Sequence, residues 1–308
     1  MVREPRRAGP LEEPRTWDIE EGGAAVATED EVGSTLERLV TAPGYRPPLL
    51  PSVALELMAL SARADVEVEE VVQLLERDAL LAARVLQVAR SPLYAPQMEL
   101  RSLKSAIVRL GLNAIRNIVM EVSLSARVFK APVYADALEA IRRHSTAVAY
   151  LSRMVARQTA IDPEFAFLCG LLHDVGLSVS LVAMADQARG GKAPDLELLC
   201  PALDALHERV AGIVSEHWKL PVELKLVLER HHGLTLGGVV HPVAAIVALA
   251  DELAVLHGRS PQPPRQCDAH RVDAPDERRR RRALDSLQLD LGHYDKLAKD
   301  AAAVLAAM

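Results

Sequence analysis

The stretch Phe165-Ala166-Phe167-Leu168-Cys169-Gly170-Leu171-Leu172-His173-Asp174-Val175-Gly176 decides how this chain is read. An apolar run ends on a His–Asp doublet and resumes through Leu177, Val179 and Leu181, so a buried helix is expected over about 164–185. A carboxylate beside such a run is costly unless a metal ion or an Arg or His side chain meets its charge. Asp174 therefore needs partners from elsewhere in the chain.

Helical patterns extend from this segment in both directions. Towards the C-terminus, helices are expected around 195–217, 221–231 and 241–257, with breaks at Gly190-Gly191, Leu220-Pro221 and the Gly233/Gly237/Gly238 cluster. Towards the N-terminus, a helix over 135–157 follows a break at Ala131-Pro132. A further set lies before it. Glu29 to Leu39 reads as a short helix, Ser52 as an N-cap, Asp65 to Arg77 as a helix, and Asp78 as the cap of the next. Ser102 to Leu110 ends at Gly111, read as a left-handed C-terminal residue, and the helical pattern resumes over Asn113 to Ser125. Residues 1–44 are expected to be a disordered leader with one short helix. Residues 45–130 and 131–257 form two helical subdomains, 258–277 a surface loop, and 278–308 a last helix with an interruption at Gly292. The fold class expected is all-α.

The 308-residue composition agrees. Half the residues are apolar, yet there are only three Phe, two Trp and five Tyr, so Ala, Leu and Val must fill the core. That favours close-packed helices over sheets built on aromatic cross-strand pairs. A net charge of −6 argues against a general nucleic-acid binder, which needs surplus Lys and Arg. The start of the chain lacks an apolar signal segment, and no apolar run is expected to approach the ~18 residues of a membrane span. Three widely spaced cysteines, Cys169, Cys200 and Cys267, suit a reducing cytoplasm better than a disulfide framework, with Cys169 as a small buried hydrophobe.

His and Asp concentrate in the second helical set, at His144, His173, Asp174, His207, His231, His232 and Asp251. Imidazole nitrogens and carboxylate oxygens suit divalent metals such as Mn, Fe, Zn or Ni, and helix ends facing one centre can gather them. A second reading stays open for His173-Asp174: a buried pair tying helices together, with Asp174 accepting from His144 or His231. Asp251, in an apolar helix, is expected to be buried with a His or Arg partner. His217, His241, His257, His270 and His293 carry no such pattern. The basic run Arg278 to Arg282 reads as a solvated helix face, and Arg101, Lys104, Arg109 and Arg116 as a potential anion patch.

Phe167 to Gly176, with Arg143-His144-Ser145 before it and His231-His232 and Ala250-Asp251 after it, resembles the HD superfamily of metal-dependent phosphohydrolases. Leu50-Pro51, the segment Asp78-Ala79-Leu80 to Ala89-Arg90-Ser91, and Leu103-Lys104-Ser105-Ala106-Ile107 leading into Leu110-Gly111 are similar to one branch, the HDOD domain of bacterial signalling proteins. The resemblance covers roughly 45–255. It implies first metal ligands at His144, His173, Asp174 and Asp251, and further ligands at His207, His231 and His232, as in the two-metal HD-GYP hydrolases. Three positions depart from the hydrolases. Leu177 stands where they carry Lys, His232 is followed by Gly233-Leu234-Thr235 and no Gly-Tyr-Pro, and Ala140 replaces an acid. Glu139 is one residue out of phase, about 100° round the helix. The expectation is a cytoplasmic regulatory module acting on a signalling protein partner, binding a metal or nucleotide-like ligand without turnover. The alternatives are a metal-dependent phosphohydrolase acting on a nucleotide or cyclic dinucleotide and, less supported, a nucleic-acid regulator working through Arg278 to Arg282.

Overall fold

A computed structural model describes residues 28–91, 102–188, 192–261 and 276–308. The leader up to residue 27, Arg101, Cys267, His270, the Gly190-Gly191 break and most of the proline-rich loop lie outside the described residues. The N-terminal helices are α1 (Glu29–Thr41), α2 (Ser52–Ser61), α3 (Val68–Glu76), α4 (Ala79–Ala89), α5 (Leu103–Leu110) and α6 (Leu112–Arg127). A 3-10 turn at Pro132–Tyr134 leads into α7 (Ala135–Ala156), α8 (Pro163–Leu172), α9 (Val175–Gln187), α10 (Leu196–His217), α11 (Val222–Leu228) and α12 (Pro242–Leu256). After these come α13 (Glu277–Ser286) and α14 (Leu291–Ala306). The fold is all-α apart from a hairpin, β1 (Thr235–Leu236) and β2 (Val239–Val240), turned by Gly237 and Gly238 at φ 58° and 84°. The Gly cluster was expected only as a break; two glycines at positive φ are what a tight hairpin turn requires.

Local chemistry explains most helix ends. Asp78 accepts from the Leu81 amide at 2.9 Å, and Ser102 and Ser105 form a reciprocal cap at the start of α5. Ser52 is instead the first residue of α2, and Pro51 before it makes no side-chain cap. Gly111 has φ 81° and ψ 163°, an extended conformation open essentially to glycine and not the left-handed one expected. The terminal helix breaks at Gln288 (φ 57°), while Gly292 lies inside the first turn of α14.

One apolar core runs from Val32 to Leu305. Helix α7 is its axis, packed on α8 and α12, while α9 packs on α10. Helix α1 lies on α10 and α9, burying Val32, Leu36 and Val40, and Arg209 pairs with Glu37. A polar chain joins α6 to the later helices. Arg116 donates to Asn117 Oδ1, the Asn117 amide donates to Glu164, and Arg153 donates to Glu164 Oε2 at 2.7 Å. Arg116 is thus buried, and Lys104 pairs with Glu69, so the expected anion patch does not assemble among the described residues.

Two further expectations need correction. Pro163–Gln187 is long and apolar enough to cross a membrane by composition, with mean hydropathy 1.8, although 89% of its most apolar window is buried in the fold. Cys200 takes part in a disulfide, while Cys169 is a free, fully buried thiol as expected.

Candidate metal centre

The single helix expected over 164–185 is two helices, and the break between them builds the site. Helix α8 ends at Leu172, and Asp174 has φ −99° and ψ 16°, outside helical geometry. Close approach holds this junction in place. A Cβ at Gly170 would lie 2.9 Å from the Val148 carbonyl oxygen on α7, and one at Gly176 only 2.0 Å from the His207 carbonyl oxygen on α10. The missing side chains let α8 and α9 approach the helices that carry His144 and His207.

All seven residues singled out in the sequence converge there: His144 from α7, His173 and Asp174 from the junction, His207 from α10, His231 and His232 from the turn after α11, and Asp251 from α12. Six are buried and His232 is partly exposed. They form two groups that could hold a metal ion, His144/His173/Asp251 and Asp174/His207/His231/His232. Asp174 faces both, its Oδ2 lying 3.2 Å from His173 Nε2 and 3.5 Å from His144 Nε2, and its Oδ1 3.5 Å from His231 Nε2.

Hydrogen bonds fix the tautomers. His144 Nδ1 lies 2.6 Å from the Arg259 carbonyl oxygen, His173 Nδ1 2.8 Å from that of Gly170, His207 Nδ1 2.9 Å from that of Asp204, and His231 Nδ1 2.9 Å from that of Leu228. A carbonyl only accepts, so each Nδ1 carries the hydrogen and each neutral ring presents a bare Nε2 to the centre. Yet His144 and His173 face each other Nε2 to Nε2 at 3.2 Å, and His207 and His232 at 2.8 Å. His231 Nε2, His232 Nδ1 and Asp251 Oδ1 are buried without a hydrogen-bond partner. Lone pairs at these separations repel unless a proton or a cation stands between them. Ligand atoms about 3 Å apart are what bonds of about 2.0–2.1 Å to one ion produce. A backbone carbonyl on the opposite ring nitrogen is the usual outer support of a metal-bound histidine. The residues therefore fit divalent cations.

Electrostatics are consistent with this. Burial alone would raise the pKa of Asp174, but His173, His231 and His144 outweigh it and hold the carboxyl well below its ordinary value. Asp251 is also depressed: burial opposes ionisation, while His144, His173 and Arg279 favour it. Burial pushes His207 down, and His232 down to about 2, helped by the neighbouring His231. His231 goes up, because Asp174 outweighs its burial.

Three contributors escaped the sequence reading. Arg279 was assigned to a solvated face, but its Nη1 lies 3.7 Å from Asp251 Oδ2 and its Nη2 donates to the His231 carbonyl at 3.0 Å. Its signal was helical phase, since Arg279 is one turn before buried Ala283 and Arg280 one turn before buried Leu284. Glu208 accepts from the His232 amide at 2.9 Å. Asp204, one turn before His207, has its pKa raised to about 7 by burial and the Asp174 charge. Neither acid had a signal beyond its spacing from His207. Glu139 points away, as its phase implied, pairing with Arg142 and Arg143. His217, His241, His257 and His293 lie outside the two groups.

Helices of this arrangement around a His–Asp cluster define an HD-type helical protein. The HDOD domain model matches residues 48–234, more than half of the sequence, and the chain belongs to the HDOD family. Solved structures repeat the fold. An HDOD protein of unknown function from Geobacter sulfurreducens superposes with a TM-score of 0.65 at 24% identity, covering 90% of this chain and 97% of that one. A Shewanella amazonensis protein provisionally named a metal-dependent phosphohydrolase gives 0.61 at 20% identity, covering 89% and 99%. A Marinobacter aquaeolei protein provisionally named for signal transduction gives 0.58 at 19%, covering 92% and 66%. At these identities the likeness shows the fold alone. No curated protein matches the chain.

Proposed function

We propose that this chain is a regulatory HDOD module that binds divalent cations in its HD half and acts through contact with a signalling protein, without turning over a substrate. The observation that carries the metal is the pair His144 and His173, whose Nδ1 atoms are held by carbonyls and whose Nε2 atoms face each other at 3.2 Å beside the carboxylates of Asp174 and Asp251. His144, His173 and Asp251 would hold one ion, His207, His231 and His232 a second, with Asp174 between them. A bound ion supplies a Lewis acid that polarises phosphoryl oxygens and acidifies water.

The chain's own residues argue for holding over turnover. The position of the hydrolase Lys is a buried leucine, Leu177, and the acid of the hydrolase pattern is buried Ala140. The observation favouring the second reading, a phosphohydrolase, is the same two-group ligand set bridged by Asp174, which is what clamping a phosphate ester would need.

Metal analysis of protein purified without chelator tests the proposal. Near-stoichiometric Mn, Fe, Zn or Ni is expected, and His173→Ala should lose it with helicity retained. Protein that takes up none of these ions and gains no thermal stability from them refutes the metal centre. Hydrolysis of a phosphodiester or nucleotide by the loaded protein, abolished in His173→Ala, would establish the phosphohydrolase instead.

A further inference from the structure

Helix α13 covers the edge of the centre, its Arg279 reaching Asp251 and the His231 carbonyl. Of its ten residues, Ala283 and Leu284 are buried, while five consecutive arginines follow the opening Glu277. Beside the packing of Ala283 and Leu284 in the core, a pair of ionic contacts between adjacent residues joins it to α12. Arg279 lies against Asp251 and donates to the His231 carbonyl. Arg280 donates through Nε to Glu252 Oε1 at 2.8 Å, its guanidinium lying 4.7 Å from the ring centroid of Tyr294. The cleft that reaches Asp251 is walled by α12 and α13, with Asp276, Arg279 and Arg280 on one side. Asp251 is therefore reached on this side under α13.

Asp251 is shared. Its Oδ1 faces His144 Nε2 at 3.3 Å without a hydrogen bond, and its Oδ2 faces the guanidinium of Arg279. A buried carboxylate needs a counter-charge, and Arg279 supplies a permanent one. An ion held by His144, His173 and Asp251 would meet the same charge. That would leave Arg279, whose side chain is 19% exposed, as a surplus cation 3.7 Å from a ligating carboxylate. This is well inside the ~8 Å Debye length, so solvent ions screen the repulsion poorly.

Resting on the metal centre proposed above, we infer that Arg279 competes with the cation for Asp251, making α13 a latch that ion binding loosens. The coupling is reciprocal: whatever factor α13 docking removes from ion affinity, ion binding removes from α13 docking. The region following the matched HDOD residues thereby becomes the reporter of metal occupancy, exposing the α12 face when the centre fills.

The test uses the full chain, stripped of metal and titrated with Mn(II) against a competing fluorescent chelator, with hydrogen exchange read on α13. Arg279→Gln is expected to tighten Mn(II) about tenfold, the loss of one charge–charge contact of about 1.4 kcal/mol. Mn(II) should speed exchange of α13 amides in the wild type, and the variant should exchange fast with or without it. Arg280→Gln leaves every partner of Asp251 in place; it should free the same helix, tighten Mn(II) by a smaller factor, and decide the matter if Arg279→Gln fails to fold. Unchanged or weaker Mn(II) binding in these variants, or slower α13 exchange on adding Mn(II), overturns the latch while leaving the metal centre standing. A wild type that binds no Mn(II) and no other divalent ion overturns both.

Discussion

Gly176→Ala tests whether close helix approach builds the site. A Cβ there would stand 2.0 Å from the His207 carbonyl oxygen, 2.8 Å from its carbon and 3.0 Å from the Ala211 nitrogen, all of them backbone atoms. An ordinary C···O contact needs about 3.3 Å, so α9 must retreat from α10 by about 1 Å. Overpacking of this kind costs about 1–3 kcal/mol, and the rigid backbone on both sides places this site near the upper figure. At about 2–4 °C per kcal/mol for a chain of this size, the melting temperature should fall by about 6–12 °C. Asp174 is two residues away, so the shift also draws it off His207, and metal affinity should drop with stability. Two other glycines calibrate the effect. At Gly170 the nearest atom is the Ser152 hydroxyl at 2.6 Å with the Val148 oxygen behind it, an intermediate case; at Gly212 the obstruction is the mobile end of Glu229, and the cost should be small. Circular-dichroism melts with Mn(II) titration of the three alanine variants check the ranking. A Gly176→Ala protein that melts within 1 °C of wild type and binds metal normally would refute the reasoning.

Other outcomes follow from the same structure. His232 and His207 have folded pKa values below the unfolded ~6.5, so the unfolded chain binds more protons and metal-free stability should fall as pH drops below about 6.5, by up to about 1.4 kcal/mol per pH unit for each of the two. His231, raised, acts above that window: its stabilisation is complete below about 6.5 and is lost as pH rises through its folded pKa; urea midpoints between pH 5 and 6.5 should show the slope, and His232→Gln should flatten it. Glu121 has the opposite sign: burial raises it to about 7, so it favours the fold at low pH and loses that contribution as pH rises from about 4.5 through 7. Glu121→Gln should therefore raise stability by about 1–3 kcal/mol at pH 8 and change it little at pH 4.5, measured by the same melts. Leu36→Ala, which empties a fully buried position of α1 beside α10, should cost about 3 kcal/mol, and a neutral result would mean that α1 is dispensable.

The helical class and the site's composition were legible because both are local. Apolar spacing marks a helix before any neighbour is known, so α7, α10 and α12 lie close to where periodicity put them. A His–Asp doublet beside an apolar run demands partners wherever it folds. Its seven-residue constellation was assembled partly through family resemblance, and the chain brings all seven to one centre. What was lost depended on contacts between distant segments. The expected 164–185 helix gave no periodicity cue to its break at Asp174, because the apolar pattern continues across it and only packing against α7 and α10 requires the turn. Burial of the segment was legible, but its membrane length was not, because the apolar character runs on through the turn that packing imposes.

Charge shows the division most clearly. The sequence by itself determined that five arginines follow one another from Arg278, that His144, His173, Asp174, His207, His231, His232 and Asp251 form a ligand-like pattern in the second helical set, and that the core is made of small aliphatic side chains. Only the tertiary structure decided that Arg279 turns inward to Asp251 while its neighbours Arg278 and Arg281 face solvent, and that ring Nε2 atoms meet in pairs. The physical reason is range. Helix propensity and amphipathic phase act within a turn or two of chain, whereas a buried charge takes its energy from groups a hundred residues away in sequence and a few ångströms away in space.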